Sequence, residues 1–203
     1  MSNPRTNRTR LHLRDAGFSL TELMVVLAFM GTIAALALPS ITRTLASMRL
    51  NGAIRSISNA TSVTKTKAAA QFTRARLYID RGANSYHMET YTGGQWVVDG
   101  GTTWLPQGAT FGFAPVGAPP VNTQNPFGHA PPCLNNANNQ VANTSCLVFN
   151  SRGIPIDDVG APTTADAVYI TDGTSVLAVT ISATGLIGVW ATPPLAIPSW
   201  TIS

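Results

Sequence analysis

Residues 18–38, FSLTELMVVLAFMGTIAALAL, form an unbroken apolar run in which Glu22 is the only charge. As a helix this run would be about 31 Å long, close to the thickness of a bilayer's hydrocarbon core. Such a segment must be committed to a membrane, to a protein interior or to removal, and its carboxylate needs a partner in most of these settings. The flanking charge sets an orientation. Arg5, Arg8, Arg10 and Arg14 precede the run against Asp15 alone, so the N-terminus is expected to stay cytoplasmic and everything after Pro39 to face outward. From Arg43 to Arg81 the chain has eight basic residues and one acid, Asp80; beyond Arg81 the only base is Arg152, against six acids. The net charge of +4 therefore conceals an order: basic leader, apolar span, basic stalk, mildly acidic head. Only 11% of residues are charged, well below the usual quarter, and Gly, Pro, Asn, Thr and Ser make up the difference. That points to a loop-rich extracytoplasmic β protein and away from a cytosolic enzyme.

Three readings fit the apolar run on its own terms. It can be an uncleaved anchor that tolerates Glu22 near one end. It can be a secretory signal cut at the A-x-A site Ala35–Ala37. It can also be a cleaved leader followed by a retained helix. The residues RDAG-FSLTELMVVLAFMGTIAALALP select among them, because they resemble the leader junction of type IV pilins and pseudopilins. Gly17, Phe18, Glu22, Gly31 and Pro39 occupy the matching places. The resemblance implies cleavage after Gly17 by a prepilin peptidase, N-methylation of Phe18, and retention of the apolar helix for assembly. It also implies a role for Glu22, pairing with the N-terminal amine of a neighbouring subunit to set register in a filament.

Pro39 has no N–H to give a helix, so a kink is expected there. A helical pattern then continues, with Ile41, Leu45 and Met48 on one face and Leu50, Ile54 and Ile57 following at the same spacing. The β-branched residues near Thr61–Thr66 make a weak helix that needs a sheet to pack on. From Arg76 the period falls to two. RLYID, SYHMETY, QWVVD and ATFGF read as strands, followed later by CLVFN, AVYITD, SVLAVTIS and LIGVW. Asp172-Gly173 is a hairpin signal. Residues 114–143, rich in Pro and Asn, carry no period and read as a long surface loop.

The fold class expected is α+β, with a long N-terminal helix packed on a C-terminal antiparallel β head. The expected domains are a leader 1–17, an apolar helix 18–39, an amphipathic continuation 40–74 and a head 75–203. LPQGATF, VFNSRGIP and VLAVTISATGLIGVW, in that order, resemble the heads of GspH/FimT-type minor pilins and pseudopilins. Two cysteines, Cys133 and Cys146, allow one bridge, expected to be oxidised outside the cytoplasm. Closing a loop of that length would contribute about 3 kcal/mol on the chain-entropy view. Major type IVa pilins place their bridge nearer the C-terminus, which favours a minor component here.

No catalytic constellation is legible. His87 and His129 lack neighbours at metal-ligand spacing, no nucleotide or nucleophile motif is present, and Asp157-Asp158 reads as a solvated pair. Neither an enzyme nor a cofactor is expected. The expected partners are other pilins or pseudopilins, prepilin peptidase and the inner membrane, with the head periplasmic before assembly into a pilus or pseudopilus. An alternative is a DNA-binding minor pilin acting in natural transformation. Some members of this group bind DNA through a Gly-Arg-x-Arg motif near the C-terminus, and the comparable TGLIGVWATPP here has no cation. A DNA surface would instead have to come from Lys65, Lys67, Arg74, Arg76 and Arg81.

Overall fold

The computed structural model describes residues 19–157, 160–163 and 165–203, with the side chains of 36–40 and 165 outside the description. The expected cleavage pair, Gly17 and Phe18, lies outside the described residues, as does Asp158. The chain divides between Arg43 and Thr44 into two compact units, each described here by itself.

A single helix, α1, runs Leu20–Ala70. In the first unit it opens at Ser19, whose carbonyl accepts the first helical bond from the Leu23 N–H. Leu20, Leu23, Met24, Val25, Val26, Leu27, Phe29, Met30 and Ile33 are all exposed. Among the described residues no helix is long and apolar enough to cross a membrane; the expected span begins at Phe18 and includes residues 36–40, whose side chains are not described. Pro39 lies inside α1, and the kink expected there falls among those same residues.

In the second unit α1 buries one stripe: Leu50, Ala53, Ile54, Ile57, Thr61, Thr64 and Ala68. The spacing of three and four residues puts them on one face. Thr61 and Thr64 are tolerated there because their hydroxyls donate back to the carbonyls of Ile57 and Ala60, at 2.8 and 2.7 Å, leaving no orphaned donor. The expected face is corrected at its start. Ile41, Leu45 and Met48 are exposed, since apolar periodicity marks a face that needs cover without saying what covers it.

The strands follow α1: β1 Ala75–Asp80, β2 Ser85–Thr92, β3 Gln95–Val98, β4 Thr103–Trp104, β5 Thr110–Phe111, β6 Thr144–Phe149, β7 Pro155–Ile156, β8 Ala165–Thr171, β9 Val176–Ser182, β10 Ile187–Thr192 and β11 Thr201–Ile202. They form two antiparallel sheets. The first has the order β3-β2-β1-β6-β7 with β4 also on β2, and the second β11-β10-β9-β8-β5. The α1 stripe packs in one core with Leu77, Ile79, Leu147 and Phe149 of the first sheet and Val168, Ile170, Leu177 and Val179 of the second. Ser145 points into the same core opposite Ile79, and its hydroxyl has no partner among the described residues.

The segment 112–143 departs from the expected surface loop. Its first part lays Phe113, Val116 and Phe127 over the outer face of the second sheet, covering Tyr169 and Ala178. Its second part brings Cys133 onto the outer face of the first sheet beside Cys146, Val148 and Ile156. Both sheets are thus covered on two faces, so β6 and β9 read as almost continuous apolar runs instead of strict alternation. A strap without periodicity can do this because its backbone is satisfied locally: Ala130 N–H donates to the Ala167 carbonyl and Cys146 N–H to that of Pro131.

Lys65 joins α1 to the two glycine-anchored motifs of the head. Its Nζ donates to the Gly185 carbonyl at 2.8 Å, while Gly153 and Gly185 close around its stem. Both glycines have positive φ, 72° and 78°, and a Cβ on Gly153 would lie 3.2 Å from the lysine Cγ.

α1 ends with the Thr73 N–H on the Ala68 carbonyl and the Phe72 N–H on that of Ala69, a Schellman arrangement. Its left-handed residue, usually glycine, is Phe72, with φ of 52° and its ring 85% exposed. Phe72→Gly is expected to raise stability by about 1 kcal/mol through relief of that conformation. Chemical denaturation would check it, and a loss of stability would show that the ring makes contacts worth more than the strain.

Candidate functional site

Glu22 sits at the third position of α1, and Ser19 is its cap. The Glu22 N–H donates to the Ser19 hydroxyl at 3.2 Å, and the Ser19 N–H reaches the Glu22 carboxylate at 3.4 Å. This reciprocal pair is a capping box, written in the sequence as S-L-T-E. The signal was available from sequence, but the pilin-like spacing accounts for Glu22 without it. The carboxylate also lies where the helix dipole favours negative charge. Within one chain it therefore has a local role before any neighbour is considered.

The five basic residues offered for DNA are not gathered into one open face. Lys65 is held by the Gly185 carbonyl. Lys67 pairs with Asp99 at 2.5 Å. Arg76 is only 4% exposed, bonded to Glu89 through Nε at 2.5 Å and to the Leu134 carbonyl through Nη1 at 2.7 Å. Arg81 keeps a buried Nε with no acceptor among the described residues. Arg74 is stacked on Tyr91, 4.0 Å from the ring centroid. Two of the five cations are thus neutralised by acids, which weakens the electrostatic case for a nucleic acid.

What the structure does assemble is a polar and aromatic cluster on the outer face of the first sheet. β1 and β2 place Arg76 opposite Glu89 and Tyr78 opposite His87. Tyr78 stacks on His87, with centroids 4.8 Å apart, and His87 Nε2 lies 3.2 Å from the second Glu89 oxygen. Burial pulls the Arg76 guanidinium below its ordinary pKa, with Glu89 opposing. Its charge is retained because it is paired and hydrogen-bonded. Cys133 and Cys146 are joined in a disulfide with Cα atoms 4.9 Å apart. The Thr144 hydroxyl reinforces that junction, accepting from the Cys133 N–H and donating to the Val141 carbonyl. Beyond the bridge, the Asn136 amide oxygen accepts the Trp96 N–H at 2.7 Å. The strap therefore seals the β3 edge at that residue.

Two shifted titratable groups lie at the second sheet, half-buried His129 of the strap and buried Asp166 of β8. His129, which accepts from the Tyr169 N–H, is pushed down to about 4 by burial and by Arg81. Asp166, 7% exposed, is pushed up to about 6 by burial, with repulsion from Asp157 adding to it. Among the described residues no group of three or more His, Cys, Asp or Glu is placed to hold a metal ion.

No family model and no curated protein sequence matches the chain. Among solved structures, it is similar to the minor pseudopilin EpsH from the Type 2 Secretion System of Vibrio cholerae. The identity is 13% and the TM-score 0.44, with 68% of this chain and 94% of that one covered. At that identity there is no basis for carrying a residue's role from one chain to the other.

The two groups oppose each other in acid. Asp166 has a folded pKa above its ordinary 3.8, so its contribution is complete at low pH and lost as pH rises through about 6. His129 has a folded pKa below its ordinary 6.5, so its contribution is present above that value and lost as pH falls through about 4. Between about pH 4 and 6 the two slopes offset. Asp166→Asn should leave a stability that rises with pH over this window, and His129→Gln one that falls. Asp166→Asn should also gain up to about 3 kcal/mol near neutral pH. Denaturation midpoints measured across this range would show it, and parallel profiles for both variants would contradict it.

Proposed function

We propose that this chain is a prepilin-type minor pilin or pseudopilin. On this reading it is cleaved after Gly17 by prepilin peptidase and N-methylated at Phe18. Residues 18–38 hold it in the inner membrane with a periplasmic head until it assembles, with other pilins or pseudopilins, into a type IV pilus or type II secretion pseudopilus. The observation that carries the reading is the first part of α1. Nine large apolar side chains between Leu20 and Ile33 are exposed and lie on every side of the helix, so no single contact face would shelter them. A helix apolar all round needs an apolar medium, and a bilayer followed by a bundle of like helices supplies one in each state. The leader motif of the sequence agrees with this and places a new amine one residue before the Ser19 cap.

Glu22 then has two tasks that can be separated. The capping box needs only a hydrogen-bond acceptor at that position, which glutamine supplies. Register pairing with a neighbouring amine needs the charge. Glu22→Gln is expected to leave cleavage unchanged and to reduce incorporation into sheared filaments as severely as Glu22→Ala. Normal incorporation of Glu22→Gln, with Glu22→Ala defective, would mean that the carboxylate serves the cap alone. Gly17→Trp is expected to block processing, so that mass spectrometry of the membrane fraction finds the whole 21.4 kDa chain. A mature mass in that variant would refute cleavage at this junction.

A further inference from the structure

A cavity of about 50 Å³ opens on the outer face of the first sheet, between β2, β3 and the disulfide strap. Arg74, Tyr91 and Trp96 line it, together with the apolar residues Pro132, Leu134 and Ile156. Arg74 differs from its basic neighbours. Its guanidinium lies 4.0 Å from the Tyr91 centroid and 5.8 Å from that of Trp96, yet among the described residues it makes neither a hydrogen bond nor an ion pair. Stacking occupies the flat face of a guanidinium and leaves its in-plane N–H fork available. A cation held still in this way has already lost the side-chain freedom that binding would otherwise cost, and the fork matches a carboxylate in bidentate geometry.

The remainder of the lining limits what can enter. Asp157 and Asp166 belong to the same cavity, and Arg76 beside them is already matched by Glu89. A polyphosphate chain would bring repeated charges against those two acids. A single carboxylate at the Arg74 side, followed by an apolar group, meets a cation and then an apolar wall. Arginine and aromatic residues around an apolar depression are also the composition of protein interface hot spots. The geometry points to a recognition site for a partner polypeptide that presents an Asp or Glu next to an apolar residue. The carboxylate lies on the Arg74 fork, and the apolar side chain lies against Trp96, Leu134 and Ile156.

The four tryptophans make the test selective. Trp190 and Trp200 donate their indole N–H to Thr180 and to the Ala118 carbonyl, and neither lines this cavity, nor does Trp104. The full-length chain, with its indoles labelled with nitrogen-15 and held in detergent micelles, would be titrated with N-acetyl-Leu-Glu-amide, its Leu-Gln counterpart and an oligothymidylate. The Leu-Glu probe is expected to move the Trp96 signal alone, with the Leu-Gln probe at least about tenfold weaker for want of the charge-assisted pair. Arg74→Gln should lower the response by a similar factor while the other three signals stay in place. If that variant disturbs them, Arg74→Lys replaces it; lysine keeps the charge, loses the fork, and should weaken binding likewise. A silent Trp96 at about 10 mM probe, equal responses to Glu and Gln, or an unaltered response in the Arg74 variants would overturn the proposal. So would a stronger response to the oligothymidylate, which would make the cavity a nucleic-acid site.

Discussion

Closure of the head depends on the buried stripe of α1 from Leu50 to Ala68, and on one lysine that fixes where that stripe lies. Each sheet alone would leave an apolar face in water, and α1 supplies the shared cover. Apolar contact is not directional, so a smooth helix could slide along two sheets with little penalty. Lys65 removes that freedom. Its stem passes between Gly153 and Gly185, and its amine is spent on a backbone carbonyl of the β9–β10 turn. The two glycine-anchored motifs, far apart in sequence, are thus parts of one socket. Their order along the chain reflects the order of the turns that meet the helix.

Much of this was legible in the sequence, for reasons that can be named. The strands declared themselves through β-branched and aromatic runs between turn residues, and β1 through β3 and β8 through β10 lie where those runs lie. The stripe beginning at Leu50 followed from its spacing alone. Ile41, Leu45 and Met48 misled because identical spacing serves any apolar neighbour, and the head is not theirs. The strap was opaque for a different reason. Val116, Ala130 and Cys133 are buried one at a time, between prolines and asparagines, so no period records them. Arg76 was misread as a surface cation. The hairpin centred on Gly82 and Ala83 places it opposite Glu89, so the pairing was recoverable once that register was drawn.

The two units use charge in contrasting ways. At the start of α1 a single carboxylate accepts the Ser19 N–H and lies where the helix dipole favours negative charge. On the first sheet, charges are matched side chain to side chain across strands, under the cover of a disulfide-anchored strap. That matching, with the separate pair between Lys67 of α1 and Asp99 after β3, removes Arg76 and Lys67 from any general role as counter-ions for a polyanion. It leaves the Arg74 guanidinium stacked on Tyr91, with neither a hydrogen bond nor an ion pair among the described residues.

The contact between Asn136 and the backbone of Trp96 has a consequence for crowding. β3 borders the first sheet, and a bordering strand carries a row of unpaired amides able to template a second strand. At high local concentration such borders zip together into insoluble ribbons. A side-chain amide bonded to the middle of β3 interrupts that row while adding no strand of its own. The strap therefore blunts the β3 border against strand-to-strand aggregation, and an alteration at Asn136 would first be felt as lost solubility, with the core still intact.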